Sequence, residues 1–192
     1  MNTNQYGFMP QRSTIDAAMA VKDCVEKELA VGELIVLVSI DIKGAFDAAW
    51  WPSILNGLKA CGCPKNLYNL AKSYFSQRTA ILSTNSVRME REVSKGCLQG
   101  SFCGLGFWNI QYNFFLNLKF TRRKKAVAFT DDLPLAIRGK IESKVQNFSN
   151  VELSKITAWS KNNKIRFNEE KSKFMLILRR KQKEVKDAED NI

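Results

Sequence analysis

The 192-residue sequence has no histidine. That excludes a Ser-His-Asp triad, a Cys-His nucleophile pair, an HExxH zinc site and a Cys₂His₂ finger. General acid–base work is left to carboxylates, Lys, Tyr or Cys. Cysteines are few and odd in number: Cys24, Cys61, Cys63, Cys97 and Cys103 form no CxxC pair, and most have apolar neighbours. They read as reduced core thiols of a nuclear or cytoplasmic protein. Cys61-Gly62-Cys63 reads as a helix end closed by Gly62 and Pro64 in preference to a metal clip. The longest aliphatic run, Leu34 to Val38, falls far short of the ~20 residues that span a bilayer. Met1 to Gln5 offers neither the basic nor the apolar part of a signal peptide. Acidic residues are outnumbered, 19 against 30 Lys+Arg, which leaves a net charge of +11. Such a surplus points to a polyanionic partner, nucleic acid before anionic membrane. The rest of the composition is ordinary. With 45% hydrophobic and 26% charged residues, the chain can bury a core and is not a disordered tail, a fibre or a coiled coil.

Residues 14–30 place Ile15, Ala18, Met19, Val21, Val25 and Leu29 at helical spacing, with Ser13 or Thr14 as N-cap and Gly32 as the stop. Leu34 to Ile40 is short, β-branched and apolar on both faces, as in a central strand, and it runs into Asp41. Pro52 suits the first turn of a helix whose buried face is Ile54, Leu55 and Leu58. Residues 66–76 predict a further helix, through Leu67, Leu70, Ala71, Tyr74 and Phe75. Residues 79–94 predict a hairpin with Asn85-Ser86 near its turn. Gly96, Gly100, Gly104 and Gly106 predict a turn feeding an aromatic helix from Phe107 to Leu118. Residues 126–130 and 133–137 flank Asp131-Asp132 as a tight hairpin with that pair at its tip. Residues 141–161 form an amphipathic helix, and 174–178 a buried strand. This mixture is an α+β class with antiparallel pairing. The domain spans residues 1–178, followed by a charged tail, 179–192.

An ionised carboxylate at the end of an apolar strand is costly unless paired or bound to metal. Asp41 ends one such strand and Asp131-Asp132 tip another, ninety residues on. If the two strands are neighbours, the carboxylates meet, one of the pair facing Asp41 and the other lying to its side. Clustered carboxylates without His or a Cys pair are hard oxygen ligands suited to Mg²⁺ or Mn²⁺. In a basic chain the matching chemistry is phosphoryl or nucleotidyl transfer. The plain alternative is that each Asp is a turn or strand-end residue.

The order of blocks is more specific than any one of them. Gln5-Tyr6-Gly7-Phe8 with Arg12-Ser13-Thr14 and Asp16-Ala17 resembles a QxGF…ST.DA block. Asp41 to Asp47 matches the DxxxAFD of motif A. Gly96 to Ser101 resembles GCPQGS of motif B, Phe129 to Leu133 the [YF]ADDL of motif C, and Asn168 to Ser172 the Lys-containing motif D. The series resembles the palm of non-LTR (LINE-like) retrotransposon reverse transcriptases, in particular those of arthropod type-1 retrotransposable elements. The resemblance implies a palm-type antiparallel sheet with packed helices and part of the fingers. It implies Asp41, Asp131 and Asp132 as ligands of Mg²⁺ or Mn²⁺, and Lys171 at the pyrophosphate leaving group. It further implies Phe46 as a gate against the ribose 2′-hydroxyl, and Gln99, Gly100 and Ser101 lining the nucleotide pocket. The partners implied are an RNA template, a DNA primer and deoxynucleoside triphosphates, with no membrane. Arg12, Lys119, Arg122, Arg123, Lys124 and Lys125 are candidate phosphate contacts, although the Lys119–Lys125 cluster reads first as a solvated connection.

Motif B carries Leu98 where the family has Pro, motif C carries Thr130 for Ala, and Pro134 stands in the second strand of the Asp hairpin. The blocks run from QxGF to motif D, so a palm-centred fragment lacking the thumb is expected. The activity implied is RNA-directed DNA polymerisation. The alternative is a non-catalytic, basic, nucleic-acid-binding remnant.

Overall fold

The computed structural model describes residues 1–120, 124–130 and 132–179. Asp131, Arg122, Arg123 and all of the expected tail but Arg179 lie outside the described residues. Helix α1 (Thr14–Ala30) starts at a capping box: the Ser13 hydroxyl accepts from the Asp16 amide, and the Asp16 carboxylate accepts from the Ser13 amide. Its expected apolar stripe is only half right. Ile15 and Met19 are exposed, while the small Ala17 is buried against the rest of the fold. Strand β1 (Leu34–Ile40) follows, then the short α2 (Ala45–Ala48), α3 (Trp51–Ala60) and α4 (Lys65–Tyr74). Pro52 lies in the first turn of α3, and Gly62, at φ +70°, lies just beyond its end. In α4 the periodicity misleads as well: Leu67 and Leu70 are exposed, and Ala71 and Phe75 carry the burial.

Strands β2 (Thr79–Ser83) and β3 (Arg88–Glu92) form the expected hairpin, closed by a bond from the Thr84 amide to the Val87 carbonyl. Helix α5 (Phe102–Leu116) begins five residues earlier than its glycines suggest. Ser101 caps it, so Gly104 and Gly106 lie inside the helix, and Gly104 is buried. Then come β4 (Lys124–Ala126), β5 (Leu133–Gly139), α6 (Glu142–Asn162) and β6 (Lys173–Ile177).

The main sheet is antiparallel, in the order β4-β5-β1-β6. Strand β1 is central, as its two-sided apolar sequence requires. One face carries Val38, Ile40, Leu133, Leu135 and Ile137 into a core shared with Trp108, Phe115, Ile156 and Trp159. The opposite face meets α1, where Glu28 pairs with Arg138. Strand β6 corrects the reading of 174–178 as buried: it is an edge strand, with Phe174 80% exposed. The basic cluster is also corrected. Lys124 and Lys125 are not in a loop but pair with Ile137 and Ala136 in β4.

The Asp hairpin closes one residue earlier than its sequence suggests. Phe129 and Asp132 exchange both backbone bonds, each 3.0 Å. Asp132 therefore belongs to the closing pair and is not a tip residue, and Thr130, at φ +60°, takes the left-handed turn position. Pro134 is accommodated because its carbonyl accepts from the Val127 amide, on the β4 side. A strand residue's N–H and C=O point the same way, so the missing donor falls beyond the last β4 pair and leaves the β5–β1 ladder intact.

Candidate active site

Ile40 is paired with Leu133. Asp41 follows Ile40 and Asp132 precedes Leu133, so this last pair of the ladder brings the two residues to the same end of the sheet. Residues far apart in the chain thus come to one sheet end, where β1 ends and β5 begins. Asp41 is half-buried and Asp132 exposed. The backbone of Asp41 is fastened on its other side. Its amide donates to Ser172 Oγ at 3.2 Å, and its carbonyl accepts from the Asn168 amide at 2.9 Å. Ser172 in turn donates from its amide and its hydroxyl to the Asn168 carbonyl. The turn that carries the exposed Lys171 is therefore bonded at both ends to the backbone of Asp41 or to its neighbour in the turn.

Past Asp41 the chain turns at Gly44, whose φ of +58° suits glycine, into α2. Phe46 is half-buried, its ring 6.0 Å from that of Trp108 and 6.1 Å from that of Phe8. The Phe46 carbonyl accepts from the Cys97 amide at 2.8 Å, and the Ala49 carbonyl from the Gly96 amide at 2.7 Å. Trp51 Nε1 donates to the Gly96 carbonyl at 2.8 Å. These bonds fix the 96–101 loop against the segment holding Phe46. At the end of the loop Gln99 and Gly100 are exposed and Ser101 Oγ accepts from the Gly104 amide at 2.9 Å. Free backbone amides at the α5 N-terminus favour negative charge. Cys97, between these blocks, is buried, and desolvation pushes its thiol up to about 11, so it stays protonated at neutral pH.

The remaining expected contacts scatter. Arg12 donates to the carbonyls of Thr3 and Gln5 and lies over the Tyr6 ring, so its guanidinium is engaged within the chain. Lys119 is exposed, and its carbonyl accepts from Lys155 Nζ. Lys125 is half-buried in β4 and acts electrostatically on Cys24 of α1. Of the five cysteines only Cys97 is buried; Cys61 and Cys103 are exposed, against the expectation of core thiols. Sequence reasoning also missed Asn168 and Ser172 as backbone anchors, and Trp108 and Asn109 in α5. The first two lay inside the motif D block, but nothing in an aromatic helix singled out the others.

Among the described residues no three acidic, Cys or His side chains come close enough to hold a metal by themselves. The Asp41–Asp132 pair is a hard-oxygen donor set. It fits Mg²⁺ or Mn²⁺, which takes one or two carboxylates and completes its shell with water and phosphate oxygens.

An antiparallel sheet backed by helices, with Asp41 just past the end of its central strand and Asp132 just before the start of that strand's neighbour, has the form of a polymerase palm. Solved structures share the fold. Apo telomerase from Candida tropicalis, truncated from its C-terminal domain, matches with a TM-score of 0.70 at 12% identity, over 93% of this chain and 37% of that one. Telomerase from Candida albicans, in complex with a TWJ fragment of telomeric RNA, matches at 0.67 and 15% identity, over 90% of this chain and 32% of that one. The chain belongs to the reverse transcriptase (RNA-dependent DNA polymerase) family, which matches residues 1–187. Enzymes of this family use divalent metal ions. The 115 kDa protein in type-1 retrotransposable element R1DM of Drosophila melanogaster is 30% identical over 155 residues, 81% of this chain. The Pol polyprotein from type-1 retrotransposable element R1 of Bradysia coprophila is 29% identical over 160 residues, 82% of this chain. The chain spans 15% of the length of each of these relatives. No helix among the described residues is long and apolar enough to cross a membrane.

Proposed function

We propose that this chain is the palm-centred core of an RNA-directed DNA polymerase from a non-LTR retrotransposon. It extends a DNA primer 3′-hydroxyl with deoxynucleoside triphosphates on an RNA template, in the nucleus or cytoplasm. The observation that supports this reading is the β1–β5 ladder, whose last pair, Ile40–Leu133, brings Asp41 and Asp132 to one end of the sheet, with the Lys171 turn bonded to the backbone of Asp41. By the motif resemblance Asp41 and Asp131 are the main ligands of Mg²⁺ or Mn²⁺, with Asp132 a supporting carboxylate. When bound, the metal lowers the pKa of the primer hydroxyl and neutralises charge on the phosphates.

The chain's own residues supply position and charge. Phe46 is backed by Trp108 and Phe8, so its ring cannot retreat and rejects a ribose 2′-hydroxyl by clash. Gln99, Gly100 and Ser101 offer exposed backbone and a helix N-terminus to the triphosphate. Lys171 steadies or protonates the departing pyrophosphate. The net charge of +11 favours template and primer phosphates in a salt-dependent way, with Lys119 among the exposed cations.

The test is primer extension on poly(rA)·oligo(dT) with Mg²⁺ or Mn²⁺. Product that falls to background in Asp41→Ala and Asp131→Ala supports the reading; the 192-residue chain alone is expected to be weak or silent, and the same chain within a longer polymerase to be active. Salt-sensitive binding of the duplex without extension in either metal, even when the chain is tested within a longer polymerase that supplies fingers and thumb, supports a nucleic-acid-binding remnant instead.

A further inference from the structure

The first eight residues lie far in sequence from the Asp hairpin, yet they form its outer support. The Ala128 amide donates to the Asn4 carbonyl at 2.9 Å, and the Tyr6 amide donates to the Ala128 carbonyl at 2.8 Å. Gln5 and Ala128 thereby form a parallel bridge. Val127 bonds inward to Pro134 of β5 and Phe129 to Asp132, and Ala128 bonds outward to this strap. The strap is itself anchored. Gln5 is fully buried, and its Nε2 donates to Asn109 Oδ1 at 2.7 Å. Asn109, also buried, donates from Nδ2 to the Gly7 carbonyl at 3.0 Å. The Asn2 amide donates to Asn113 Oδ1 at 2.6 Å, and Arg12 braces the Gln5 carbonyl at 2.7 Å.

The contact that matters is at Gly7. A Cβ added there collides with the Thr130 amide nitrogen and comes within 2.9 Å of Thr130 Cα and 3.1 Å of the Phe129 carbonyl carbon. Gly7 is therefore pressed against the backbone of the turn that leads to Asp132. From the other side the buried Trp108 donates Nε1 to the Thr130 carbonyl at 3.0 Å. Thr130 sits at φ +60°, a conformation a β-branched residue adopts only when its surroundings impose it. Two external supports on one strained residue are what imposing it requires.

We propose that Gly7 and Trp108, with Gln5 and Asn109 behind Gly7, are positioning residues that set where the Asp132-bearing turn stands relative to Asp41. This inference rests on the polymerase reading of the Asp41–Asp132 pair. A bulkier residue 7 lifts the turn, and loss of the indole donor frees the Thr130 peptide. Either change separates the two carboxylates without touching them.

The experiment measures Mn²⁺ binding to the full 192-residue chain by electron paramagnetic resonance, under conditions where circular dichroism shows each variant folded. The variants are Gly7→Ala and Trp108→Phe, with Asp41→Asn as ligand control and Val145→Ala as a destabilised control in α6. In parallel, NMR follows the Trp108 indole N–H. The expected result is loss of Mn²⁺ binding in Asp41→Asn, at least tenfold weaker binding in Gly7→Ala and Trp108→Phe, and no change in Val145→Ala. Gly7→Ala should also shift the indole signal. If Asp41→Asn abolishes binding while folded Gly7→Ala and Trp108→Phe bind like the wild type, the positioning role is overturned and the polymerase reading stands. If Mn²⁺ binding ignores Asp41→Asn, that reading falls and takes the role with it. An indole signal unmoved in Gly7→Ala overturns the clamp independently of any metal. Should Gly7→Ala fail to fold, Trp108→Phe alone decides.

Discussion

Two glycines in helix interiors give opposite expectations for the same substitution. Gly→Ala in a helix gains about 1 kcal/mol from backbone propensity wherever space allows. Gly106 in α5 has that space, since nothing lies within 4 Å of a Cβ added there. Gly57 in α3 does not: an added Cβ collides with Ile110 Cγ2 and comes within 2.9 Å of Phe114 Cε2, both on α5. Ile110 is β-branched and in a helix, so it has essentially one χ1 rotamer and cannot swing away. Overpacking of this kind costs about 1–3 kcal/mol, and toward the upper end when the neighbour is stiff. Net of the propensity gain, Gly57→Ala should destabilise by about 1–2 kcal/mol, and Gly106→Ala should stabilise by up to about 1 kcal/mol. For a domain of this size each kcal/mol moves Tm by roughly 2–4 °C. Thermal denaturation followed by circular dichroism at 222 nm should therefore show Gly57→Ala melting below, and Gly106→Ala above, the wild type. A Gly57→Ala protein that melts higher than wild type refutes the close α3–α5 contact.

Other expectations are simpler. Ser13→Ala removes the hydroxyl half of the α1 capping box and should cost about 1 kcal/mol, read from urea midpoints. The Asp16 carboxylate is held below its ordinary 3.8 by its bonds to the Ser13 side chain and amide. Its contribution is therefore present above 3.8 and lost as pH falls through the lower folded value, and the gap between wild type and Ser13→Ala should narrow over that window. A native thiol titration at pH 8 should label the exposed Cys61 and Cys103 quickly and leave Cys97 unlabelled until the chain unfolds, because its thiol titrates near 11. Labelling of Cys97 at the rate of Cys103 in the folded protein contradicts its burial.

Much of this protein is legible along the chain. Ser13 and Asp16 announce the start of α1, Pro52 the first turn of α3, and Asn85-Ser86 the β2–β3 turn, since each signal acts over four residues or fewer. The two-sided apolar run of β1 implies a central strand, and the acidic residue after it implies a site. Other features depend on which element arrives from a distance. Residues 174–178 are as apolar as β1 yet lie at the edge, because hydrophobicity states that a strand can be covered and not what covers it. Ile15, Met19, Leu67 and Leu70 kept the helical period while smaller alanines took the buried places, because helices approach closely only where side chains are short. Gly104 and Gly106 looked like turn residues until the Ser101 cap put them inside α5. The carboxylates at 41 and 132 were visible as residue types, but their arrival at one end of the sheet is a matter of strand register, and the backing of the Thr130 turn by Gly7 and Trp108 exists only in three dimensions. Local sequence specifies caps, turns and apolar faces because those forces reach a few residues. Neighbours, edges and the approach of one backbone to another arise from packing across the whole chain.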